Sequence, residues 1–224
     1  MLGFRYTPGD TIIEVLFSIT IFSMIAIGGL TIMNQGMNTA QRSLEITLVK
    51  QQIDSQAEAL RYIHQSYIAA YDGRTINTTS AATIASTNYS GAAGQWYYVS
   101  QAQAVSAAVP YNTITSGNQC RPLDNTAAGV QNRFVVNPKT AVAYTGTFVS
   151  GSNAPTYAQV RYDAANPSLI NKVDGLWVQA EYHPRDAPTN TPGYYDFHIR
   201  ACWIALGEST PAVLGTIVRL YEPK

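Results

Sequence analysis

The stretch that decides the fold runs Gly9-Asp10-Thr11-Ile12-Ile13-Glu14-Val15-Leu16-Phe17-Ser18-Ile19-Thr20-Ile21-Phe22-Ser23-Met24-Ile25-Ala26-Ile27-Gly28-Gly29-Leu30-Thr31-Ile32-Met33. From Val15 to Gln41 no side chain is charged. As a helix, Ile12 to Met33 would be about 33 Å long, close to the roughly 30 Å of a bilayer's hydrocarbon core. A cleavable secretory signal is a poorer description. Its apolar core is shorter and ends at a small-residue site, and here the run is long, carries Glu14 near its start and has no Ala-x-Ala site.

Beyond Met33 the apolar pattern continues at Leu44, Leu48, Val49, Ile53, Ala57, Leu60, Ile63, Tyr67 and Tyr71. Steps of three to five put these on one helix face, with Arg42, Glu45, Lys50, Asp54, Glu58 and Arg61 on the other. Asp72-Gly73 reads as the stop. One helix is therefore expected from Thr11 to Tyr71, apolar all round in its first half and amphipathic in its second. Gly28, Gly29 and Gly36 weaken it by about 1 kcal/mol each relative to Ala.

Glu14 is the charge most in need of explanation, because a carboxylate sunk into hydrocarbon costs about 2.5–3.5 kcal/mol on insertion scales. Thr11-x-x-Glu14 fits a capping box, which would need only interfacial burial. A cationic partner within the apolar layer is the other reading, and the two are compatible.

These residues resemble the processing site of type IV prepilins and type II secretion pseudopilins. The likeness lies in a short leader with Arg5, a Gly at 9, then Thr11, two aliphatics and Glu14 heading an apolar helix. The resemblance implies cleavage after Gly9 by a prepilin peptidase, exposing the amine of Asp10, and assembly in which Glu14 of one subunit neutralises that amine on another. The family usually has Phe at the first mature position, where the amine is methylated; here it is Asp10. The partners implied are the peptidase, other pilin subunits, the assembly machinery and, before assembly, the membrane. The expected location is the cytoplasmic membrane with the head outside, then a surface or periplasmic filament. A minor pilin or pseudopilin is the expected role, serving adhesion, motility, secretion or DNA uptake. The alternative is a signal-anchored surface binding protein that does not polymerise.

The remaining chain reads as β. Residues 75–120 carry no charge and suggest loops around one or two short strands, with Trp96, Tyr97 and Tyr98 as a weak surface-contact candidate and a stronger core candidate. Strands are expected at Arg133–Val136, Ala141–Val149, Thr156–Tyr162, Leu176–Tyr182, Tyr195–Leu206 and Val213–Tyr221, the last three as an antiparallel meander. In Tyr195–Leu206, the residues Tyr195, Phe197, Ile199, Ala201, Trp203 and Ala205 share one face. The expectation is an α+β, pilin-like fold: leader 1–9, membrane or filament-core half 10–39, amphipathic half 40–73, and a β-rich head 74–224 laid on the helix.

Composition narrows the function. Only 12% of residues are charged, 14 of each sign, about half the roughly 25% usual in soluble domains. With no cationic surplus, nucleic-acid binding is not expected. The two cysteines, Cys120 and Cys202, allow one disulfide, which the family resemblance favours, or two buried thiols. His183 and His198 flank a proline-containing loop with Glu181 and Asp196 nearby, a weak pattern for a metal. Asp163, Asn166 and Asp174 match no EF-hand spacing. No nucleophile elbow, phosphate loop or Cys-x-x-Cys is present, so no enzymatic activity, cofactor or metal is expected.

Overall fold

The computed structural model describes residues 10–71, 91–101, 120, 133–154, 157–185, 191–205 and 207–223. Gly9, the Asp72-Gly73 stop and most of the charge-free segment 75–120 lie outside the described residues. The chain forms two compact units, Met1–Leu44 and Glu45–Lys224. Helix α1 (Asp10–Ala70) contributes to both.

In the first unit α1 carries exposed apolar side chains on every side, among them Ile12, Ile13, Phe17, Phe22, Met24, Ile25, Ile32 and Met33. It is one helix long and apolar enough to cross a membrane. Five of its hydroxyls in this unit bond back to the helix. Ser18, Ser23, Thr31 and Thr39 each donate to the carbonyl four residues earlier at 2.8–3.0 Å, and Thr20 donates to Phe17 at 2.7 Å. Such back-bonding is how Ser and Thr sit inside a helix where no water can serve them.

In the second unit the amphipathic half of α1 buries Val49, Ile53, Ala57, Leu60, Ile63 and Tyr67. Each fully buried aliphatic contributes about 1.5–3 kcal/mol. Leu44, expected on this face, is exposed. The receiving layer is an antiparallel meander of β6 (Leu176–His183), β7 (Tyr194–Trp203) and β8 (Ala212–Tyr221). Tyr195, Phe197, Ile199, Ala201 and Trp203 of β7 are all buried, as their alternation predicts. Trp203 also donates from its indole Nε1 to Glu45 Oε2 at 3.2 Å.

The head is mixed rather than purely antiparallel. β3 (Phe148–Val149) pairs parallel with β5 (Ile170–Asp174), which pairs antiparallel with β4 (Gln159–Tyr162). β1 (Val135–Val136) pairs with β2 (Ala143–Tyr144), and Phe134 bridges to Val178. The single strand expected over Ala141–Val149 is thus two short strands. Between them the Tyr144 hydroxyl reaches back to accept from the Thr147 amide at 2.9 Å, and Ala141 sits at φ 55°. β5 had no counterpart in the strand expectations.

Trp96, Tyr97 and Tyr98 lie on a helix, α2 (Gly91–Gln101), and not on a loop or strand. Trp96 is 2% exposed. It stacks on Tyr67 at 5.4 Å and meets Tyr195 and Phe197 edge-on at 5.4 and 5.8 Å. Val99, one turn on, is also buried. Local β propensity loses to this packing, because burying Trp96 and Val99 together requires the three-residue spacing of a helix.

Candidate functional site

Asp10 and Thr11 fall in the first turn of α1, and Glu14 follows on the same helix, exposed. Since Asp10 is already helical, Thr11 is inside the helix and not at its N-cap, so the capping-box reading of Thr11 and Glu14 is corrected: an N-cap residue has non-helical backbone. Glu14 has no ion-pair partner among the described residues, and its immediate neighbours are Val15, Ser18, Ile19 and Phe22. Glu14 thus stands beside an apolar surface on the helix that Asp10 heads. Transferring that surface to hydrocarbon, or against other such helices, is favourable; transferring the carboxylate with it is favourable only with a cation alongside.

In the head, Trp96 is core and Tyr97 half-buried, while Tyr98 is exposed. The three therefore do not form one contact surface. Cys120 is bonded to Cys202, with Cα atoms 5.3 Å apart, and the pair packs with buried Trp177.

The β6–β7 register brings together the titratable residues on the sheet face turned away from α1. Glu181 lies opposite Asp196, and His183 opposite Tyr194. His183 Nε2 is 3.5 Å from Glu181 Oε1 and 3.7 Å from Asp196 Oδ2, and His198 Nε2 is 3.5 Å from Glu181 Oε2. Asp196 is bound in two-pronged fashion by Arg219 from β8, at 2.8 and 2.7 Å, and that guanidinium lies 4.1 Å over the Tyr194 ring. Burial, with Arg200 adding to it, pushes the His198 imidazole down to about 4. Burial raises the Glu181 carboxyl against the opposing pull of His183. The Asp196 pairing in turn raises the Arg219 guanidinium. Among the described residues no group of three or more His, Cys, Asp or Glu side chains is arranged to hold a metal ion.

The oxygen-bearing trio is not assembled. Asp163 Oδ1 accepts from the amides of Ala165 and Asn166 at 2.8 and 2.9 Å, making a local turn. Asp174 lies at the other end of the β4–β5 pair, buried and bound to Arg161 with Lys172 at 3.8 Å.

Two residues that organise the head were not singled out from sequence. Gln56 lies on the buried stripe with Ile53 and Leu60, and that spacing was the available signal. Arg219, on a strand otherwise free of charge, gave no such signal; only the β7–β8 register shows its partner. No family model matches the chain, and no curated protein or solved structure matches it either.

Proposed function

We propose that this chain is a structural subunit of a type IV pilus or pilus-like filament, in the role of a minor pilin or pseudopilin. In this reading a prepilin peptidase cuts after Gly9 on the cytoplasmic side. The apolar half of α1 holds the subunit in the membrane with its head outside, then enters a filament core by packing against the same segment of other subunits. Glu14 selects the register by neutralising the new amine of Asp10 on a neighbour, since apolar packing alone would let the helices slide.

The observation that supports this best is the first unit itself: a continuous helix headed by Asp10, apolar all round from Ile12 onward, interrupted only by the Glu14 carboxylate at the fifth residue after Gly9. A simple anchor would need the apolar surface but not that carboxylate. The deciding experiment is N-terminal sequencing and mass analysis of the protein recovered from sheared surface filaments. A chain starting at Asp10 within a polymer is expected. An uncut chain displayed at the surface, with none in filaments, refutes the proposal.

A further inference from the structure

We infer that the outer edge of β8 is a pairing site for β8 of a second copy of this chain. β8 is the edge strand of its sheet, bonded to β7 and to no other described strand. It spans Ala212–Tyr221, about 33 Å at roughly 3.3 Å per residue. The opposite edge of the same sheet is treated differently: Phe134 and Val178 exchange backbone hydrogen bonds of 3.0 and 2.8 Å there.

Exposed edges are usually guarded by charge, proline or a bulge. β8 has none of these along most of its length. Residues 209–218 are uncharged, and Pro211 precedes the strand. The β7–β8 register runs without a break, whereas β4–β5 has one. The one charge on the strand, Arg219, is held by Asp196. At the far end the Tyr221 carbonyl already faces His64 Nε2 at 2.7 Å, so the free run ends there.

The pattern of exposed side chains argues for a second copy as the occupant. On the face turned from α1, Val213, Ile217 and Tyr221 are 41%, 52% and 50% exposed. They are evenly spaced about Ile217. An antiparallel pair with Ile217 opposite its own equivalent sets Leu214 against Leu220 and Thr216 against Val218, and brings Val213 to the Tyr221 end, where the free run stops. It also sets Arg219 against Gly215, so the two guanidinium groups never face each other. Apolar cross-strand pairs of this kind stabilise a sheet, and like charges directly opposite would oppose it. The contact is two-fold and self-complementary, as isologous interfaces are. Subunits of a polar filament are related by a screw along its axis, so a two-fold contact would join neighbouring filaments. That consequence rests on the proposed function; the pairing itself does not.

Cysteine crosslinking of the full chain in detergent micelles under mild oxidation tests it. Residues opposed in an antiparallel pair have Cα atoms about 4.5–5.5 Å apart, within disulfide range. Ile217→Cys is expected to form a covalent dimer at least tenfold faster than Val142→Cys, an exposed site off the edge. Val213→Cys alone is expected at the control rate. If Ile217→Cys links no faster than Val142→Cys, or Val213→Cys alone links as fast as Ile217→Cys, the pairing is overturned.

Discussion

The side-chain amide of Gln56 forms both hydrogen bonds to the backbone of Val136. Its Nε2 donates to the Val136 carbonyl at 2.8 Å, and the Val136 amide donates to its Oε1 at 2.7 Å. Both residues are buried. A residue of α1 thus does for β1 what a neighbouring strand would do, and it fixes where β1 docks on the helix. Gln56→Leu keeps the apolar volume but strands one buried donor and one buried acceptor. Each costs about 1–3 kcal/mol, so a loss of about 2–6 kcal/mol is expected in denaturant unfolding of the detergent-solubilised chain. A loss below about 1 kcal/mol would mean the clamp is dispensable.

Gly175 joins β5 to β6 at φ 62°, and a Cβ built there would lie 2.1 Å from the Cys202 carbonyl oxygen. The Cys202 amide donates to the Gly175 carbonyl at 2.7 Å, so neither backbone is free to retreat. Gly175→Ala combines left-handed strain of about 1–2 kcal/mol with overpacking of about 1–3 kcal/mol. Gly207 has φ 80° but open space around its Cβ position, so Gly207→Ala should show the strain alone. Thermal unfolding of the two variants side by side checks the difference.

The cross-strand cluster makes stability depend on pH in two opposing ways. His198 falls from 6.5 to about 4 on folding, so between those values the unfolded chain binds the proton first, and stability is lost as pH falls. Glu181 is raised above 4.5, so its contribution is present below that value and is lost as pH rises through the folded one. His198→Gln should flatten the rise in melting temperature between pH 4 and 6.5, and Glu181→Gln should steepen it. Identical profiles for both variants and the parent would show that neither group titrates as its burial requires.

Glu14 is exposed on an apolar helix, so Glu14→Ala should leave membrane insertion intact, or improve it by the roughly 2.5–3.5 kcal/mol a buried carboxylate costs. On the proposed function, incorporation into filaments should fall at least tenfold. Fractionation reports the first and quantitative shearing the second. Wild-type incorporation would remove Glu14 from the assembly step.

Much of the fold was legible because its signals are local. The helix expected over Thr11–Tyr71 is observed over Asp10–Ala70, since apolar continuity and then a 3.6-residue stripe leave little else for that segment to form. The β7 alternation foretold which residues share the face toward α1, as side chains on a strand have only two sides, but not that Asp196, His198 and Cys202 on the other face are buried as well. Segments whose form depends on distant partners were not legible. Residues 91–101 read as strand or loop and are a helix, because Trp96 fits between Tyr67, Tyr195 and Phe197 only from one. β5 is short and interrupted by Asn171 and Lys172, and it exists as a strand because β3 and β4 pair with it on either side.

The candidate site divides along the same line. The residues alone were enough to show an apolar helix headed by Asp10 and interrupted near its start by Glu14, because charge and hydropathy along a helix do not depend on what the rest of the chain does. The tertiary structure alone decided that Glu181 faces Asp196, that Arg219 closes on Asp196, and that Gln56 holds Val136. Each of these is a contact between strands or layers far apart in the chain. A one-residue slip in register would turn every such side chain to the opposite face, and no local pattern specifies which partner residue lies across the ladder.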